Sequence, residues 1–173
     1  MTIDGIQPPI WRRVLVPSDV TLARLHHVIQ EVFGWWDYHL HEFEIDGTRY
    51  GIDDGEGWGD PPLDESRTKL AKVAPNGSRF LYRYDFGDDW EHRIEVEDIV
   101  ALEPTTTYPR CLAGKRACPP EDVGGTWGYA ELLRVIADPS DAEHEDMVEW
   151  SGGSFDPDRC DLLAINAALT PIR

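Results

Sequence analysis

Between Arg79 and Glu97 the chain carries a double alternation that leaves few ways to fold. Phe80, Tyr82, Tyr84 and Phe86 alternate with Leu81, Arg83 and Asp85. After Gly87-Asp88-Asp89, Trp90, His92, Ile94 and Val96 alternate with Glu91, Arg93, Glu95 and Glu97. Successive strand residues point to opposite faces, so this spacing predicts a hairpin with one aromatic face and one charged face. A hairpin alone is marginal in water, and its aromatic face must be covered by the rest of the chain.

The remaining segments supply candidates for that cover. Residues 9–16 read as a strand, with Ile10, Val14 and Val16 on one face and Trp11, Arg13 and Leu15 on the other; Arg12 falls on the first face and makes it less clean. Leu22, Leu25, Ile29, Val32 and Phe33 repeat at helical spacing, with Thr21 as N-cap and Gly34 as the stop. His26 and His27 on this helix are read as surface or boundary residues. Residues 38–51 predict a second hairpin turning at Asp46-Gly47, with His39, His41, Phe43 and Ile45 on one face. The acidic, Gly- and Pro-rich stretch that follows is expected to be a mobile loop anchored by Trp58, and residues 69–74 a short helical turn.

Toward the C-terminus the pattern turns helical. One helix is expected over Tyr129–Ala137, and a second runs to Trp150 behind a Ser140/Glu143 capping box. A third is expected to open at Asp156-Pro157 and reach Leu169. The fold class expected is α+β: a single compact domain over residues 1–173, a mostly antiparallel sheet packed against helices, with a C-terminal helical segment.

Charge narrows the function classes. The chain has 16 basic and 33 acidic residues and a formal net charge of −17. Nucleic-acid affinity rests mainly on Lys and Arg neutralising phosphates, so non-specific DNA or RNA binding is disfavoured. A local basic patch around Arg110, Lys115 and Arg116 would be needed for it. Apolar runs are too short to span a membrane, and the N-terminus lacks a signal-peptide layout. Three cysteines fit a reducing compartment better than a disulfide framework, so a cytoplasmic location is expected.

The stretch from Tyr108 to Tyr129, YPRCLAGKRACPPEDVGGTWGY, shows neither helical nor strand period. A long irregular segment in a small domain is usually functional or disordered, and its Cys, Trp, Tyr and Pro content argues for order. Cys111 and Cys118 are separated by six residues, which is not CxxC spacing. With His92 they form the candidate metal set, and buried thiols in a compact loop are the alternative. Cys160 is read as a core residue on the last helix. The hairpin tip Asp85-Phe86-Gly87-Asp88-Asp89 can hold a hard cation, although Asp and Gly there are turn chemistry first. No kinase-like loop, GxGxxG, P-loop, GxSxG or HExxH accompanies it.

Taken together, PPIWRRVLVPSDVTLARLHHVIQEVFGWWDYHLHEFEI, YRYDFGDDWEHRIEVE, the Tyr108–Tyr129 stretch and FDPDRCDLLAIN closely resemble the Ri-plasmid ORF-3-like family, whose members are often labelled transposon-passenger or TnpR-like. The resemblance implies a compact α+β domain and no established activity. The TnpR label would imply a serine recombinase, but Ser18 reads as a loop residue entering a helix and the C-terminus is not basic. Resolvase activity is therefore rejected. Some members are fused to DNA-binding domains, for which this chain is expected to have no room. Many relatives have a cysteine where this chain has Val123, which weakens a thiolate site here. Relatives also tend to have a fuller first strand, so Met1 is a candidate late start.

The function expected is an interaction or ligand-binding module associated by resemblance with plasmids and mobile elements, with an unknown protein or small-molecule partner. No cofactor is assigned. Its surface is placed where the DFGDDWEH hairpin meets the Tyr108–Tyr129 stretch. Tyr84, Trp90 and Trp127 form an aromatic floor there, and Asp85, Asp88, His92, Arg116, Glu121 and Asp122 a polar rim. The alternative is a metal-assisted hydrolase built from His39, His41, His92 and nearby carboxylates or thiolates.

Overall fold

The computed structural model describes residues 1–53, 55 and 60–172. Trp58, expected as a loop anchor, lies outside the described residues. The aromatic alternation closes as expected into a hairpin of β6 (Arg79–Tyr84) and β7 (Trp90–Glu95), with Phe80 opposite Ile94, Tyr82 opposite His92 and Tyr84 opposite Trp90. These six residues are buried. On the other face Arg79 pairs with Glu95 and Arg83 with Glu91. Phe86 departs from the pattern: the chain leaves strand geometry at Asp85, where φ is 56°, and Phe86 ends 52% exposed.

Around this hairpin an eight-stranded sheet runs in the order β5-β4-β3-β6-β7-β1-β2-β8. β3 (His41–Ile45) and β4 (Thr48–Gly51) flank β6, turning at Asp46-Gly47. β5 (Leu63–Asp64) joins β4 in a parallel pairing, a strand within the stretch expected to be loop. On the far side come β1 (Thr2–Ile3), β2 (Trp11–Leu15) and β8 (Arg110–Lys115). The chain is thus α+β with a mostly antiparallel sheet.

Helix α1 (Leu22–Phe33) lays its apolar stripe on the aromatic face. Thr21 accepts from the Arg24 N–H, and Gly34 closes the helix with a left-handed φ of 83°. Arg12 accounts for its place on the inward face of β2. Its guanidinium is buried and donates to the carbonyls of Trp11, Val32, Lys115 and Arg116, satisfying the end of α1 and the exit of β8 together.

The C-terminal half corrects several expectations. The Tyr108–Tyr129 stretch is only partly irregular: Arg110–Lys115 pairs with β2 as an edge strand, and α3 starts at Gly125 and runs to Ile136. A β-bulge between Arg13 and Val14 in the partner strand breaks the alternation that would mark the pairing. After α2 (Leu70–Val73) and α3, helix α4 spans His144–Trp150, but Ser140 does not cap it; the Ser140 hydroxyl bonds the Asp138 carboxylate in a turn. The last helix, α5, spans Leu162–Ala168 and is capped by Asp161, whose carboxylate accepts from the N–H groups of Leu163 and Ala164. Asp156 instead accepts from Asp158 N–H in an isolated turn, so Cys160 precedes the helix and is half-buried.

Candidate functional site

The polar side chains cluster around the segment leaving α1, Gly34-Trp35-Trp36-Asp37-Tyr38-His39-Leu40-His41. Trp35 anchors it, stacked 5.1 Å from the Tyr84 ring and donating its indole N–H to the Pro119 carbonyl. Asp37 and His41 then enter one polar assembly and His39 a second, and Asp37 also reaches a third.

The first is buried between α1 and the sheet. His26 is only 2% exposed, which corrects its reading as a surface or boundary residue. His27, beside it, is exposed as expected. The His26 Nδ1 lies 2.7 Å from the Tyr82 hydroxyl and its Nε2 2.7 Å from Asp37. Gln30 donates to the same hydroxyl at 3.1 Å and accepts from the Asp37 N–H. One assignment satisfies all of these contacts: a neutral His26 with its proton on Nε2, and Tyr82 donating to Nδ1. Burial, then the neighbouring His41, pushes the His26 pKa down to about 3, in accord with that tautomer. His41 stacks on His26 and contacts the buried Glu65 carboxylate at 2.9 Å.

The second assembly forms where the sequence placed the functional surface. His39 Nε2 lies 3.0 Å from Asp122 and 3.6 Å from Asp85. Beside it the Tyr84 hydroxyl donates to Glu121 at 2.7 Å, and the Trp36 N–H donates to the same carboxylate. Burial and the adjacent Glu121 charge raise the Tyr84 pKa and hold the phenol protonated. Asp88 accepts from the Gly124 N–H. Glycine is required at this junction: a Cβ on Gly125 would sit 2.5 Å from the Asp88 carbonyl, and one on Gly128 1.7 Å from the Val123 carbonyl. The third assembly shares Asp37, which also approaches His27 at 3.5 Å.

Among the described residues, two groups place three donor atoms within 4.8 Å of one another: His39, Asp85 and Asp122; and His26, His27 and Asp37. Cys111, Cys118 and His92 are not such a group. Burial raises the pKa of both thiols, and Cys111 is turned toward the Ala113 carbonyl. His92 is fully buried against Phe33, Trp35 and Tyr82. Its Nδ1 meets the Trp90 carbonyl at 3.1 Å while its Nε2 has no hydrogen-bond partner among the described residues, and burial lowers its pKa to about 3.

Tyr84, Asp85, Asp88, Glu121 and Asp122 are therefore brought together, with Trp90 buried beneath Trp35. Arg116 and Trp127 stand apart from this group's hydrogen bonds. Arg116 is buried with its Nε on the Pro157 carbonyl, and Trp127 is 87% exposed. Burial of Arg116 also divides the basic patch, leaving Arg110 and Lys115 exposed on β8. The residues that sequence reasoning missed are His26, Gln30, Asp37 and Glu65. His26 had a signal, since it lies on the helix stripe of Leu22, Leu25 and Ile29. Glu65, in a stretch without period, had none.

An eight-stranded, mostly antiparallel sheet with α1 on its aromatic face and a histidine–carboxylate junction at one hairpin tip defines a protein of the α+β class. The chain belongs to the plasmid pRiA4b ORF-3-like family, whose model matches residues 1–164. It is 41% identical over 172 residues to the uncharacterized protein y4hQ of Sinorhizobium fredii, covering 98% of this chain and 88% of that protein. It is also similar to the crystal structure of MM3350 from Methanosarcina mazei, a protein of unknown function, with a TM-score of 0.82 and 42% identity; the match covers 94% of this chain and 92% of that one. The family description carries no resolvase label. No helix among the described residues is long and apolar enough to cross a membrane.

Proposed function

We propose that this chain is a ligand-binding module whose ligand is a divalent cation, held where the 85–89 turn meets residues 119–124. One observation carries the reading: His39, Asp85 and Asp122 come from three separate segments and place their donor atoms within 4.8 Å of one another. One imidazole and two carboxylates suit zinc or manganese better than calcium, which prefers all-oxygen ligation. Tyr84, Asp88, Glu121 and Trp90 support the face: they fix the turn, the 119–124 segment and the floor rather than ligate. Association with plasmids rests on the family description alone.

The test is calorimetric titration of tag-free protein with zinc and manganese. Saturable uptake is expected, lost in His39→Ala and in Asp122→Asn, a variant tolerable because the Asp122 side chain is 67% exposed. No uptake, or uptake indifferent to both substitutions, sinks the reading.

A metal-assisted hydrolase is the second reading, favoured by the ligand count. Three protein donors leave coordination positions for water and substrate, as in catalytic rather than structural sites. The protonated Tyr84, bonded to Glu121 with its ring 5.8 Å from that of His39, is then the candidate proton donor. His41 and His92 do not enter it, because Glu65 and the aromatic core hold them elsewhere. Metal-dependent hydrolysis of a phosphate or carboxylate ester, abolished by Tyr84→Phe without loss of metal uptake, would separate it from simple binding.

A further inference from the structure

We propose that the groove bounded by the end of α1, the Trp35–Tyr38 segment and α5 is a docking site for a basic peptide segment of another protein, with lysine or arginine side chains lying against Trp36 and Tyr38. The groove has a volume of about 750 Å³ and is more open than enclosed. Trp35, Ile165 and Ala168 line it, Trp36 and Tyr38 stand at its edge, and its charged side chains are those of Glu31 and Asp37. Among the described residues that line it, none is a lysine or arginine.

Four observations choose the occupant. First, Trp36 and Tyr38 are 68% and 71% exposed, with rings edge to face at 5.7 Å. Large aromatics held in water beside carboxylates are the surroundings that attract ammonium and guanidinium groups. Second, the Trp36 backbone is held by its bond to Glu121 and its ring by the edge-to-face contact with Tyr38, so the aromatic face is already in place. Third, burial keeps His26 neutral, so its contact leaves the Asp37 charge uncancelled, with His27 at 3.5 Å the other imidazole facing that carboxylate. Fourth, the chain as a whole carries −17, which accelerates encounter with a cationic partner. The open form favours a peptide over a small free cation, because small-molecule sites enclose most of their ligand's surface. The inference does not depend on a metal at His39.

The experiment is calorimetric titration of the full chain, without added metal and at physiological ionic strength, with a short oligo-arginine peptide and separately with spermine. The peptide is expected to bind saturably with one-to-one stoichiometry. Trp36→Ala, whose side chain is largely in solvent, is expected to weaken binding by about tenfold, the order of a lost cation–π contact with its packing. Glu31→Gln is expected to weaken it several-fold, while Ile99→Ala, exposed elsewhere on the surface, leaves it unchanged. Undiminished binding by Trp36→Ala would reduce the effect to bulk charge attraction and overturn the proposal. Tighter binding of spermine than of the peptide would overturn the choice of occupant.

Discussion

The imidazole of His26 lies flat on that of His41, with ring centroids 3.5 Å apart and planes 4° from parallel. Each ring has its own carboxylate, Asp37 for one and Glu65 for the other. Two charged imidazoles at this separation would repel by about 5 kcal/mol at an effective dielectric of about 20. Charge on both rings at once is therefore disfavoured, and Tyr82 and Gln30 are arranged for a neutral His26.

Acid should destabilise this fold before its carboxylates begin to titrate. His26 and His92 both have folded pKa values near 3 against an ordinary 6.5. The unfolded chain binds these protons first, so stability is fully present above about pH 6.5 and falls as pH drops toward 3. Two such groups give a slope of up to about 2.7 kcal/mol per pH unit. Urea unfolding near neutral pH and near pH 5 measures it, and His92→Leu should remove about half of the slope.

Tyr82→Phe should cost about 1–3 kcal/mol, because it leaves the His26 Nδ1 and the Gln30 amide without their shared partner in a buried site. Thermal unfolding at neutral pH reads this directly. A loss below a few tenths of a kcal/mol would mean that water replaces the hydroxyl.

Arg12→Met should be more damaging, by roughly 3–5 kcal/mol, since four carbonyls lose their donor at once. Arg12→Lys should recover only part of the loss, because an ammonium cannot reproduce the planar fork. Chemical denaturation of the two variants ranks them.

Gly128→Ala tests the junction without touching a charged group. The added methyl would meet the Val123 carbonyl at 1.7 Å, so α3 or the 119–124 segment must move. A destabilisation above about 3 kcal/mol is expected, with faster amide exchange at Gly124, whose N–H is bonded to Asp88.

What the sequence disclosed follows the range of the interactions involved. Helix α1, its Thr21 cap and the existence of the two hairpins were legible because periodicity and turn residues encode them locally, whereas the β6–β7 hairpin turns over 85–89 and pairs Tyr84, not Phe86, with Trp90. Strand β8 was hidden because it pairs with a strand nearly 100 positions away across a bulge. The start of α5 was misplaced because Asp156-Pro157 and Asp161 both carry helix-opening chemistry, and only packing chooses between them. The meeting of the 85–89 turn with Glu121 and Asp122 was legible as a density of motif. The His26–His41 stack was not, since Glu65 and Asp37 reach it from segments without period.

The Arg12 guanidinium also bears on how the chain reaches its structure. Its carbonyl partners lie next to it, 20 residues away and 104 residues away in sequence. Contacts of such different range cannot all form early, since closing the longest loop costs the most chain entropy. The full set of bonds then belongs to the downhill side of the folding barrier. Loss of Arg12 would chiefly speed unfolding and leave the folding rate nearly unchanged.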